Sequence, residues 1–152
     1  MMSVAIVLHL LSATIWVGGM FFAHMILRPN AAKLLDPPIR LDLWKNIFKQ
    51  FFPWVWVAII VLFTSGYWMA FKLYQSIQHF PYHINIMMGI TILMTTIFIF
   101  LYFSPFSKLK IHLESSNIPE AAKQLAKIRQ LMTTNLLLGL IVIIIGSGGR
   151  YF

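Results

Sequence analysis

Cysteine is missing from this chain of 152 residues, and acidic residues are scarce, with four Asp and Glu against twelve Lys and Arg. Without cysteine there can be no disulfide framework and no thiolate metal site. The scarcity of acid excludes more. Asp36, Asp42, Glu114 and Glu120 all fall in polar connections between long apolar runs. A paired-carboxylate hydrolase or an acidic proton path therefore lacks its material. There is also no glycine-rich phosphate loop and no serine-nucleophile elbow.

Charge is absent altogether from four runs, roughly 3–27, 51–71, 82–103 and 131–149. Overall 59% of the residues are hydrophobic and 11% charged, and the mean hydropathy is +0.79. A soluble domain carries roughly a quarter charged residues. Each run is close to the ~20 residues that an α-helix needs to cross the hydrocarbon core of a bilayer. At that depth no water is available, so the backbone must satisfy its own hydrogen bonds, as a helix does. The sequence thus predicts an all-α, integral membrane four-helix bundle, built as one domain over 1–152. The first run lacks a basic leader and exceeds the length of a signal-peptide core, so the expectation is a retained span.

The formal net charge of +8 would suggest nucleic acid in a soluble protein. Here the cations collect in two places. Arg28, Lys33, Arg40, Lys45 and Lys49 lie between runs one and two, and Lys108, Lys110, Lys123, Lys127 and Arg129 lie between runs three and four. Only Lys72 and Arg150 are left for the other side. Basic loops stay cytoplasmic, facing an anionic leaflet. The expected location is a bacterial inner membrane, with both termini and the 72–81 loop periplasmic and lipid rather than nucleic acid as the surrounding partner.

The connections carry helical signals. Asp36-Pro37-Pro38 has a capping residue followed by prolines of a first turn. Leu41, Trp44, Ile47, Phe48 and Phe51 then recur at helical spacing, with Arg40, Lys45 and Lys49 between them. This pattern predicts a short amphipathic helix lying at the inner membrane surface. Asn117-Ile118-Pro119-Glu120 starts another helix, which can run through Leu131 into the fourth span.

Five histidines supply the remaining chemistry. His112 falls in a polar loop, His79 in the outer loop, and His24 at the inner end of span one beside Arg28. His9 lies about six residues into its span, or ~9 Å below the helix start. An ionisable residue at such a position is a functional candidate, although a core histidine satisfied by packing is the alternative. Span three runs parallel to span one, so His83 near its start shares the same leaflet, and the two imidazoles can converge between helices.

At 100° per residue, His9, Ala13, Trp16 and Met20 share one face of span one, and His83, Met87, Ile90 and Met94 share one face of span three. Gly139 and Gly146 lie on one face of span four, which ends Gly146-Ser147-Gly148-Gly149-Arg150. These glycines allow close approach of a helix or of a flat macrocycle, while Arg150 and Lys72 are placed to meet acidic groups at the outer surface. A haem b with outward propionates fits these features, and so does ordinary helix packing with methionine as filler.

The run from His9 through Trp16-Val-Gly18-Gly19 to Phe22 resembles the opening helix of the CopD (copper-resistance D) membrane family, and of the related HemJ-type protoporphyrinogen oxidases. Arg40-Leu-Asp-Leu-Trp, Phe52-Pro-Trp-Val-Trp56 and Thr64-Ser-Gly66 are similar to the region around span two in CopD-like proteins, and His83-Ile-Asn-Ile-Met-Met-Gly89 resembles a third helix of a bacterial branch. The resemblance implies a b-type haem or a copper ion. In the HemJ type a first-helix histidine and a third-helix lysine are the key residues. His9 matches the first, whereas span three has no lysine and offers His83 in its place, which counts against protoporphyrinogen oxidase activity.

The leading expectation is therefore a haem b held by His9 and His83 in the outer half of the bundle, flanked by Trp16, Lys72 and Arg150. It would serve redox chemistry or electron transfer, with a redox partner or a quinone. The alternative is copper transport or delivery through His9, Met20, Met87 and Met94, since thioethers suit Cu(I). A third reading is a structural subunit of a larger membrane complex or homo-oligomer.

Overall fold

The structure, a computed structural model, describes residues 1–149. Four long helices account for nearly all of them: α1 (Met2–Leu34), α2 (Pro37–Tyr74), α3 (Tyr82–Glu114) and α4 (Ile118–Gly148). A 3-10 turn, Ile77–His79, links α2 to α3, and no strand occurs among the described residues. The four helices are each long and apolar enough to cross a membrane.

The ends of the helices follow local chemistry. Asp36 occupies the cap position of α2 in extended conformation, ahead of Pro37 and Pro38 in the first turn, although its side chain makes no capping bond. At the start of α4 the Asn117 side chain does cap, accepting from the Glu120 amide at 3.3 Å. The far end of α2 closes on Gln75, left-handed at φ 60°, whose amide donates to the Phe71 carbonyl at 2.9 Å.

Lengths of 33, 38, 33 and 31 residues exceed the ~20 needed to span. The surplus of α1, α2 and α3 lies at the basic-loop end, as do the first turns of α4. The amphipathic stretch after Asp36 accordingly differs from its expected place. It is no separate surface helix: Pro37–Tyr74 runs unbroken past Pro53. Its apolar stripe, Leu41, Trp44 and Phe48, is buried with Phe106 and Leu109 of α3 and Leu125 and Ile128 of α4. That stripe finds helices to pack against, which removes the reason to lie on lipid. The expected fusion of the 118–131 segment with span four is observed.

Two helices are locally underwound into wider π turns, at Thr14–Gly18 and Phe22–Leu27 in α1 and at Tyr102–Phe106 in α3. Pro29 follows the second of these closely and Pro105 lies inside the third. A proline lacks the N–H of the helical ladder, and its ring collides with the preceding turn, so the wider turn relieves both.

The α1–α2 and α3–α4 hairpins form the main packed pairs. Between them, the half nearer the basic loops is filled with aromatics. Phe52 stacks on Phe48 at 5.1 Å and meets Phe98 and Phe106 edge-on at 5.4 and 4.9 Å. Such pairs contribute about 0.5–1.5 kcal/mol each beyond their buried area. The outer faces expose Val4, Val7, Leu11, Ile60 and Ile144. These are the lipid-facing positions of a multi-pass membrane protein.

Candidate functional site

The opposite half of the bundle is hollow. A cavity of about 580 Å³ lies between the two hairpins and draws its walls from all four helices. Sites for small organic molecules span roughly 300–1,000 Å³. His9, Ala13 and Trp16 come from α1, Gly66, Tyr67 and Met69 from α2, His83, Met87, Thr91 and Met94 from α3, and Gly139 and Gly146 from α4. No Asp, Glu, Lys or Arg is among the described residues that line it.

His9 is half-buried and its Nδ1 lies 2.9 Å from Ser65 Oγ of α2. The Ser65 hydroxyl also reaches the Val61 carbonyl at 2.5 Å. A carbonyl only accepts, so the hydroxyl proton belongs to that bond, and Ser65 Oγ accepts from His9 Nδ1–H. This tautomer leaves Nε2 with a free lone pair. Gly66 is what lets the ring rest on α2, since a Cβ there would stand 3.1 Å from His9 Cε1.

His83, in the first turn of α3, packs on the end of α4, with its Cβ 2.9 Å from where a Gly149 Cβ would be. One α-helical repeat deeper, Met87 rests on Gly146, and further down Met94 rests on Gly139. Added methyls at these glycines would approach the two Met Cε atoms to 2.9 and 3.2 Å. The glycine stripe of α4 thus seats thioethers rather than leaving a flat slot.

The structure brings His9, His83, Trp16, Met87 and Met94 around one space. Met20 is excluded from it. Although it shares a face with His9, it is buried about 16 Å further along α1, in a small void beneath the cavity. Lys72 is exposed and is not part of the lining, and Arg150 lies outside the described residues. His79 is exposed in the 3-10 turn. His24 joins α1 to α4 through Thr133 Oγ1 at 3.2 Å, and His112 sits near the basic end of α3. Sequence reasoning missed Met2, Met69 and Met88, which also line the cavity. The available signal was arithmetic: nine methionines is many for this length, and five of them meet here.

Such a wall has a definite chemical preference. Among the described residues, no three of His, Asp and Glu come together as a metal group, so a site for zinc or another borderline ion has too few ligands. Thioether sulfur with imidazole nitrogen, free of charge, suits soft Cu(I).

Residues 45–148 match the family model of copper resistance protein D. The chain belongs to the copper resistance protein D family. No curated protein and no solved structure matches it. As a copper resistance protein D relative it is a membrane protein linked to copper resistance, whereas neither the HemJ relation nor a haem finds support in the match. The matched segment takes in His83, Met87, Met94 and Gly139 but begins after His9. The resemblance of the first helix therefore rests on its own residues.

Proposed function

We propose that this chain binds Cu(I) in the cavity and carries it through the membrane, copper being its cargo. The observation that carries the reading is the meeting of His9, His83, Met87 and Met94, with Met69 and Met88, around one space that no charged side chain lines among the described residues, in a chain of a copper-resistance family. Sulfur and neutral nitrogen exchange Cu(I) readily, and the lack of a carboxylate leaves harder divalent ions without a counter-charge. The cavity lies at the end away from the basic loops. With those loops cytoplasmic, it opens on the periplasmic side of a bacterial inner membrane and receives copper from there.

In this reading His9 Nε2 is the first nitrogen ligand, held in the ligating tautomer by Ser65. Met87 and Met94 lead inward from His83 along α3. The volume of about 580 Å³ exceeds what one ion needs, so one measurement has to separate copper from haem. Purified protein is examined by absorption and then titrated with Cu(I) against a chromogenic chelator under reducing, oxygen-free conditions. Stoichiometric Cu(I) binding is expected, weakened at least about tenfold in His9→Ala and in Met87→Leu and unchanged in His112→Ala. A reducible Soret band that disappears in His9→Ala, with no Cu(I) retained, would replace this reading by the haem one.

A further inference from the structure

At the end of the bundle away from the cavity, His24 of α1 meets Thr133 of α4 at 3.2 Å. One turn further toward the basic loops, the same two helices carry Arg28 and Arg129. Residues four apart on a helix keep roughly one face, so the two basic side chains leave the α1–α4 joint at the same level. Arg40, near the start of α2, completes a group drawn from three helices.

Arg129 is the unexplained member of this group. It is partly buried, and burial together with repulsion from Arg28 and Arg40 opposes its charge. Its Nε is enclosed and has no hydrogen-bond partner. A guanidinium stays protonated in proteins and only donates, so that N–H calls for an acceptor, best one of negative charge. Among the described residues none is supplied. The two ion pairs there are Asp42 with Lys45 and Glu120 with Lys123, and neither includes these arginines. Three like charges without a carboxylate repel one another, and a bound anion turns that repulsion into attraction.

Position selects the anion. Arg28 directly follows the first uncharged run, and Arg129 stands just before the fourth. Both therefore lie at the inner boundary of the hydrocarbon, at the level of lipid headgroups. Toward the bilayer core, α1 exposes Phe22, Met25 and Ile26, and α4 exposes Leu137, which is apolar surface for acyl chains. We propose that Arg28, Arg40 and Arg129 form a phosphate site, filled in the membrane by the headgroup of an anionic glycerophospholipid of the inner leaflet. Forked guanidiniums suit phosphate oxygens, and basic pockets between spans on the cytoplasmic side bind such headgroups. A lipid held there ties the two hairpins together at the end away from the cavity, whatever the cavity carries.

The test uses purified full-length protein, stripped of lipid in a neutral detergent. Phosphatidylglycerol, phosphatidylcholine and inorganic phosphate are added separately at equal concentration, and thermal unfolding and native mass spectrometry are recorded. Phosphatidylglycerol should raise the unfolding midpoint by about 4 °C or more and stay on the protein as a retained adduct. Phosphatidylcholine and inorganic phosphate should do much less. Arg129→Gln should lose the shift and Arg129→Lys most of it, because an ammonium keeps the charge but not the fork. If Arg129→Gln fails to fold, Arg40→Gln decides, its side chain being partly exposed. Lys108→Gln removes an exposed cation of the same end and should respond as wild type. An equal loss in Lys108→Gln would reduce the effect to general surface charge and overturn the proposal, as would equal shifts from the two lipids. Equal stabilisation by inorganic phosphate would overturn the lipid as occupant. No stabilisation by any of the three would overturn the phosphate site itself.

Discussion

The imidazole of His9 and the hydroxyl of Ser65 meet at 2.9 Å across the α1–α2 interface, and the direction of that bond is set by a third group. Because Ser65 donates to the Val61 carbonyl, it must accept from His9. A serine one turn from its own acceptor thereby fixes which nitrogen of a histidine on another helix is free. Outer partners of this kind orient metal-binding histidines and raise their basicity.

Removing the orienting oxygen should be felt at the metal more than in the fold. Ser65→Ala is expected to lower Cu(I) affinity about tenfold or more, read by chelator competition. The stability loss should stay near one hydrogen bond, about 0.5–1.5 kcal/mol, read by thermal unfolding in detergent. Unchanged affinity would show that His9 does not bind through Nε2.

The two thioethers of α3 should behave differently from ordinary core methionines. Leu for Met usually costs less than about 1.5 kcal/mol in a core, so Met87→Leu combined with Met94→Leu should insert and unfold nearly as wild type. Its bound Cu(I) should fall sharply, measured by metal analysis after desalting. Full copper content in this variant would remove the sulfur path.

Glycines 18 and 139 make a paired test of close packing. A Cβ at Gly139 would lie 2.7 Å from Val17 Cγ2 and 3.2 Å from Met94 Cε, whereas nothing lies within 4 Å of one at Gly18. Valine is stiff and Val17 is buried. Gly139→Ala should therefore destabilise by about 1–3 kcal/mol, while Gly18→Ala should gain up to ~1 kcal/mol of helix propensity. Thermal unfolding of the two variants checks the order, and a more stable Gly139→Ala would contradict the packing.

Topology can be read independently of copper. Reporter fusions at Glu114 and Gln78 should fall on opposite sides, with Glu114 cytoplasmic, because ten of the twelve cations flank the connections at that end. A cytoplasmic Gln78 would turn the cavity to face the cytoplasm and reverse the direction of delivery.

Much of this protein was legible in the chain. Uncharged runs of spanning length dictate helices, because a backbone in lipid has no other partner. Periodicity alone put His9 with Trp16, and His83 with Met87 and Met94, each group on one helix face. It could not say how far down a face the cavity extends, so Met20 was grouped with His9 although Trp16 closes the space between them. Met69, on α2, carried no motif at all and became visible only when the two hairpins were set side by side.

What the sequence determined by itself was the number of spans, the family resemblance and the donor types on offer, since these depend on composition and on spacing along one helix. Which donors face one another was decided by the tertiary structure. Helix rotation and the 2.7 Å approach of Gly139 to Val17 arise from contacts between residues more than a hundred positions apart. The same holds for the cavity and for the grouping of Arg28 with Arg129. One half of the bundle is filled by the interleaved rings of Phe48, Phe52, Phe98 and Phe106, whereas the pairs described in the other, Phe63 with Tyr67 and Phe80 with Phe71 and Tyr74, leave the space between the hairpins open. That difference in side-chain volume, summed over four helices, leaves the hollow where His9 and the methionines meet.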